Sequence, residues 1–144
     1  MTSRIFTSGE LAHIKVAIED AEKNTSGEIR VHIEKHCKED VLDRAAGVFD
    51  MLKMQRTEQR NGVLFYLATS DHKFAIIGDA GINSVVPDDF WNAIKSEMSD
   101  LFKAGKFAEG LEKGIAKAGQ QLKSHFPYES GDKNELSDEI SFGS

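Results

Sequence analysis

The chain has little of what an exported or membrane-bound protein needs. Its 144 residues include one cysteine, Cys37, which cannot form an internal disulfide and suits a reducing compartment. No apolar run approaches the roughly 20 residues that cross a bilayer. The N-terminus also lacks the basic start and apolar run of a secretory signal. These absences predict a cytoplasmic protein that does not bind a membrane.

A concentrated patch of positive charge is also missing. The net charge is −6, and lysine and arginine do not gather on a face with interleaved aromatic residues. Nucleic acid and anionic membranes are therefore poor candidates for a partner. A chain of this length, 40% hydrophobic and 29% charged, is typical of one globular domain that folds without a disulfide or a metal. We expect a monomer.

The common catalytic motifs are missing as well. The sequence has no phosphate-binding loop ending in Gly-Lys-Ser/Thr and no Gly-x-Gly-x-x-Gly after a strand. It has no His-Glu-x-x-His, no Gly-x-Ser-x-Gly nucleophile elbow and no established phosphatase signature. No motif therefore identifies a reaction.

What is present is a regular alternation of helices and strands. A capping-box pattern at Thr7 and Glu10 starts the first helix, and a second is predicted from about Glu39 to Arg56. Two more apolar helical patterns follow Pro87 and Phe107, and the glycines in the last helix suggest close packing against a neighbour. Alternation of apolar and polar residues predicts a strand over residues 28–34, and apolar runs predict strands over residues 63–68 and 73–78.

The connections between the strands predict the topology. A helical crossover joins the first two strands, so they should be parallel, whereas a tight turn makes the third antiparallel to the second. The first strand alternates apolar and polar residues and is predicted to be half-exposed. We predict an α/β fold, a three-layer α/β/α sandwich with a small mixed sheet of three to four strands and about four main helices.

The composition changes near Pro127. Residues 1–127 are predicted to form a single α/β domain, and residues 128–144 an acidic C-terminal tail. Apolar residues in this tail could dock it onto the domain: Leu136, Ile140 and Phe142.

Polar residues converge at one edge of the predicted sheet. Glu28 opens the first strand, Asn61 precedes the second and Asp79 follows the third, with Asp88 on the next loop. Carboxylate and amide oxygens are the ligands that calcium and magnesium prefer, and a folded-back tail could supply more. Each residue also has a structural explanation: Glu28 as a solvated strand start, Asp79 as a turn former, and Asp88 as a favourable charge at a helix N-terminus.

A second candidate is the segment from His32 to Cys37. Alternate positions of a strand share a face, so this segment is a candidate zinc site. The alternative is a solvated strand face. Cys37 has no feature that would activate its thiol, which favours a buried thiol without a chemical role.

Three segments resemble the TPM domain family, whose name refers to a thylakoid-lumen acid phosphatase. They are Thr25-Ser26-Gly27-Glu28-Ile29-Arg30-Val31, the segment from Arg60 to Ala68 that begins Arg60-Asn61-Gly62, and residues 73–82 with Gly78-Asp79-Ala80-Gly81. The Phe90-Trp91 helix start, the turn at residues 107–110 and the tail at residues 134–138 are similar too.

The resemblance implies an α/β/α sandwich with an acidic surface centre for divalent ions, calcium in particular. The positions that match this centre are Glu28, Asp79, Asp88, Glu135 and Asp138. Many relatives carry an export signal and a membrane anchor, and this chain looks like a stand-alone soluble member.

Three hypotheses about function follow. The first is a domain that binds calcium or magnesium and has weak or no phosphatase turnover. The second, which rests on the family resemblance alone, is a metal-assisted acid phosphatase in which Arg60 or Arg30 steadies the transferred charge. The third is a non-catalytic adaptor that binds a protein partner through the first strand or the tail.

Overall fold

The structure is a computed structural model that describes residues 6–128 and 140–143. The helices within these ranges are α1 (Ser8–Glu22), α2 (Val41–Met51), α3 (Ala80–Asn83), α4 (Phe90–Lys103) and α5 (Phe107–His125), with a 3-10 turn at Met54–Arg56. The strands are β1 (Glu28–Glu34), β2 (Gly62–Ala68), β3 (Lys73–Gly78) and β4 (Ser141–Phe142).

The described strands form one mixed sheet in the order β3-β2-β1-β4. β1 and β2 are parallel, and β3 is antiparallel to β2. Both relations agree with the prediction, because the connections are the crossover through α2 and a tight turn. β4, close to the C-terminus, pairs in parallel with the outer edge of β1.

Helices cover both faces of this sheet, which confirms the three-layer α/β/α sandwich. One face packs against buried residues of α1, α4 and α5, including Ile14, Met98 and Leu111. The other packs against α2 through Ala45, Val48 and Phe49. The central strand β2 is buried along its whole length because both faces are covered.

Local signals explain most of the element boundaries. The Thr7 hydroxyl accepts a hydrogen bond from the Glu10 amide at 3.0 Å, and the Glu10 carboxylate accepts one from the Thr7 amide at 2.9 Å, so the capping box is confirmed. α2 is shorter than the helix predicted from about Glu39 to Arg56. α2 ends at Met51 because Lys53 adopts a left-handed conformation with φ of 58°.

Gly119 lets α5 lie close to α1. A Cβ atom at this position would be 2.7 Å from the Ala21 Cβ atom, well inside van der Waals contact. The close packing predicted from the glycines of the last helix is therefore present here.

The predicted half-exposure of β1 is wrong. Every residue of this strand except Arg30 is buried. On the face that was expected to meet water, Glu34 is paired with His32, with Arg44 of α2 and with Tyr66 of β2, and His32 also contacts Ser141. β4 covers the outer edge of β1. Alternation alone cannot distinguish such paired polar side chains from exposed ones.

Candidate functional site

Glu28 and Asp79 lie at the same edge of the sheet, on either side of Gly62. Glu28 pairs with Gly62 in the β1–β2 register, and its amide donates to the Asn61 carbonyl at 3.4 Å. The Asp79 amide donates to the Gly62 carbonyl at 2.9 Å. Their Cα atoms are therefore about 10 Å apart, twice the spacing of neighbouring strands. The topology brings together two residues that are far apart in the chain.

The two residues also belong to the same face of the sheet. Side chains alternate along a strand, and Ile29 points into the core on the side of α1, α4 and α5. A Cβ atom at Gly78 would point to the same side, toward Trp91 and Ile82. Glu28 and Asp79 therefore fall on the α2 side. Both are nearly buried, with exposures of 2% and 7%. Carboxylates are seldom so buried unless a cation or hydrogen-bond donors stabilise them.

Asp79 has two structural partners. Arg60 donates from Nε at 2.7 Å and from Nη2 at 2.8 Å to the two oxygens of Asp79. The Asp79 side chain also accepts from the Ala80 amide at 2.7 Å and caps α3, a short helix that the sequence pattern missed. Hydrogen bonding to Asp79 raises the pKa of Arg60. The turn-forming role considered for Asp79 is therefore real.

The backbone of Arg60 is held in place by Gly81. Arg60 has a positive φ of 53°, and its carbonyl accepts from the Gly81 amide at 2.7 Å. A Cβ atom at Gly81 would overlap the backbone carbonyls of Gln59 and Arg60, so only glycine fits. This close approach fixes the base of the Arg60 side chain beside Asp79.

Asn61 contributes a buried oxygen at the same edge. Its side chain is 1% exposed, and Nδ2 donates to the Ser26 hydroxyl at 3.3 Å. Its Oδ1 atom has no hydrogen-bond partner among the described residues. A buried acceptor left in this state costs about 1–3 kcal/mol, so the Asn61 oxygen is available to a cation or a water at this edge.

The remaining predicted ligands are not part of this arrangement as described. Asp88 is exposed on the loop before α4. Glu135 and Asp138 lie outside the described residues. Within residues 6–128 and 140–143, no three His, Cys, Asp or Glu side chains are grouped as a metal site would need. Glu28 and Asp79 thus lack a third acidic ligand in the described part of the chain.

A second polar cluster lies near the opposite end of β1. Arg44 binds Glu34 through Nε and Nη2, each at 2.8 Å, and the Tyr66 hydroxyl donates to the same carboxylate. His32 contacts Glu34 at 3.1 Å and Ser141 of β4 at 2.8 Å. The Arg44 hydrogen bonds are the main cause that lowers the pKa of Glu34 to about 2. Burial and the Glu34 contact raise the pKa of Tyr66.

These contacts argue against zinc binding by the segment from His32 to Cys37. His32 is engaged with Glu34 and Ser141, whereas His36 contacts Asp71 at 3.1 Å on the surface. The Cys37 thiol is buried and donates to the Glu39 carbonyl at 3.2 Å. No zinc-like grouping occurs among the described residues, and the solvated strand face is also wrong for His32.

Comparison with known proteins identifies the family. The family model described as TPM domain matches residues 2–121. The chain belongs to the TPM domain family. No curated protein matches the sequence.

Solved structures agree with this assignment. The chain is similar to the BA42 protein of the psychrophilic bacterium Bizionia argentinensis, with 50% identity over 99% of both chains and a TM-score of 0.90. The N-terminal domain of the cg2496 protein of Corynebacterium glutamicum has a TM-score of 0.65 and 15% identity, over 92% of this chain and 81% of that one. An N-terminal domain from P. gingivalis has a TM-score of 0.70 and 18% identity, over 87% and 83%. At such identities the last two show the fold alone.

No helix among the described residues has both the length and the apolarity that a membrane span requires.

Proposed function

We propose that this domain binds a divalent cation, calcium or magnesium, at the sheet edge around Gly62. Glu28 and Asp79 are the anchoring ligands in this proposal, and the Asn61 side-chain oxygen is a third. Asp88, Glu135 and Asp138 remain predicted contributors of further oxygens. The proposal does not require phosphatase turnover.

The observation that carries the proposal is the Asn61 Oδ1 atom. It is buried and it lacks a donor among the described residues. Its residue precedes Gly62, its backbone carbonyl accepts from the Glu28 amide, and the Gly62 carbonyl accepts from the Asp79 amide. An amide oxygen at the same sheet edge as two carboxylates is a donor set that suits a hard cation such as calcium. A bound cation would satisfy the Asn61 oxygen.

The proposed ligands supply the kind of oxygen atom that calcium and magnesium bind, but they are too few to complete the coordination shell of either ion. Calcium takes six to eight oxygens, and magnesium takes six, several of them from water. The three protein oxygens proposed here leave positions for water and for the predicted ligands of the tail. We therefore expect weak binding, which a third carboxylate would strengthen.

Glu28→Gln tests the site directly. The substitution keeps the shape of the side chain and removes its charge, so we expect calcium affinity to fall by about tenfold or more. Titration of ¹⁵N-labelled protein with calcium, followed by amide NMR, should move the wild-type signals of Glu28, Asn61, Gly62 and Asp79. Glu19→Gln is the matched control, because Glu19 is an exposed carboxylate on α1.

Asn61→Asp is an independent test of the cation site, because it places a charged oxygen at the position of the Asn61 side-chain oxygen. We expect this variant to bind calcium more tightly than wild type. Equal affinities for Glu28→Gln and Glu19→Gln, with no gain in Asn61→Asp, would contradict the proposed site. Dispersed amide spectra and unchanged unfolding midpoints must accompany each comparison.

The other two hypotheses remain predictions. For the phosphatase, Arg60 is paired with Asp79, so it would contact a phosphoryl group only after leaving that carboxylate, a displacement that a cation at Asp79 requires as well. For the adaptor, the outer edge of β1 is occupied by β4 near the C-terminus. Neither observation favours these functions over cation binding.

A further inference from the structure

Arg60 occupies two of the acceptor positions on Asp79 that a metal ion would use. Its guanidinium donates to both carboxylate oxygens, at 2.7 and 2.8 Å. The Ala80 amide takes a further acceptor position on Oδ1 at 2.7 Å. Two oxygens of a carboxylate offer about four acceptor positions, and three are in use here. A cation that approaches Asp79 would also meet the positive charge of Arg60.

The Arg60 side chain is nevertheless well placed to leave. It is 51% exposed, whereas Asp79 is only 6% exposed, so the guanidinium can turn into water without passing through the core. The Arg60 backbone is fixed by the Gly81 contact, so the side chain alone would have to move. A pair in which one partner is half-exposed is easier to break than a fully buried pair.

We infer that Arg60 is a built-in competitor of the divalent cation for Asp79. This inference rests on the proposed cation site and concerns its regulation. Without the cation, Arg60 neutralises Asp79 and holds the loop before β2 against α3. Binding exchanges one positive partner of Asp79 for another, and Arg60 is released to solvent. The competition lowers the affinity of the site and raises the cation concentration at which it fills.

The test compares two substitutions near the same edge of the sheet, each of which removes one positive charge. Arg60→Gln removes the competitor, and we expect calcium affinity to rise by about three- to tenfold in isothermal titration. Arg56→Gln is the control, because Arg56 is an exposed residue of the neighbouring 3-10 turn and changes the net charge equally. Arg60→Lys keeps the charge but loses the two-point contact, so its affinity should lie between wild type and Arg60→Gln.

A second readout follows Arg60 itself in the wild-type protein. Its Nε–H signal in ¹H–¹⁵N NMR should shift during calcium titration with the same midpoint as the Gly62 amide. Two results would show that Arg60 is not a competitor: equal calcium affinities of Arg60→Gln and Arg56→Gln, or an Nε–H signal that stays unchanged at saturation. Either result would leave the proposed cation site itself intact. Loss of binding in Arg60→Gln would also overturn the inference. If neither wild type nor Arg60→Gln binds calcium, the proposed function fails as well.

Discussion

At the scale of single residues, the most consequential feature is how buried charge is neutralised. Two carboxylates on the α2 side of the sheet, Glu34 and Asp79, are each held by an arginine in a two-point contact. They differ in the exposure of that arginine, which is 33% for Arg44 and 51% for Arg60. Glu34 also has Tyr66 and His32 as partners. We therefore regard Glu34 as a structural group and Asp79 as an exchangeable one.

The Glu34 cluster should make the protein sensitive to acid. The pKa of Glu34 is lowered from 4.5 to about 2 in the folded protein, so folding favours its ionised form. Its contribution of about 3 kcal/mol is present above pH 4.5 and disappears as the pH falls toward 2. We expect Glu34→Gln to lower the free energy of unfolding by about this amount at pH 7 in urea titrations.

The same variant should also have a flatter stability profile between pH 4.5 and pH 2. The difference from wild type is expected to shrink over this range, because Glu34 becomes protonated in the wild-type protein. Glu19→Gln again serves as the control, since Glu19 is exposed. A Glu34→Gln protein with wild-type stability at pH 7 would show that the cluster stabilises nothing.

At the scale of secondary-structure elements, the close contact between α1 and α5 depends on Gly119, which has no side chain. Gly119 lies against Ala21, and a Cβ atom there would be 2.7 Å from its nearest neighbour. Gly47 of α2 is also helical but has nothing within 4 Å of the equivalent position. The two glycines therefore separate the effect of packing from that of helix propensity, because only one of them is crowded.

Alanine at the two positions should have opposite effects on stability. Gly119→Ala forces the helices apart and is expected to lower the free energy of unfolding by about 1–3 kcal/mol, despite the better helix propensity of alanine. Gly47→Ala should raise it by up to about 1 kcal/mol. Thermal and urea unfolding of both variants would measure the difference, and a stabilised Gly119→Ala would contradict the packing explanation.

At the scale of the whole molecule, the backbone topology could be predicted from the sequence. The apolar runs of β2 and β3, the crossover and the tight turn together place Glu28, Asn61 and Asp79 at one edge. Chain connectivity and right-handed crossovers determine this placement, and neither depends on side-chain detail. The TPM resemblance in the same segments is confirmed by the family match.

The features that the sequence did not predict depend on contacts between residues that are far apart in the chain. Alternation in β1 predicted exposure, because nothing local shows that Arg44, Tyr66 and β4 cover its polar face. The pairing of Arg60 with Asp79 cannot be read from the sequence, because a partner 19 positions away is not visible in a local pattern. The capping of α3 by Asp79 is not predictable for a related reason, since a four-residue helix has too few positions to show periodicity.

The most direct test of the cation site is its position, measured with manganese as a paramagnetic substitute for calcium or magnesium. Manganese prefers the same oxygen ligands and broadens the NMR signals of nearby nuclei. At substoichiometric manganese, we predict that the amide signals of Glu28, Gly62 and Asp79 broaden first, and that excess calcium restores them. Broadening centred on the exposed His36–Asp71 pair at the opposite end of the sheet, with the Gly62 edge unaffected, would contradict the proposal.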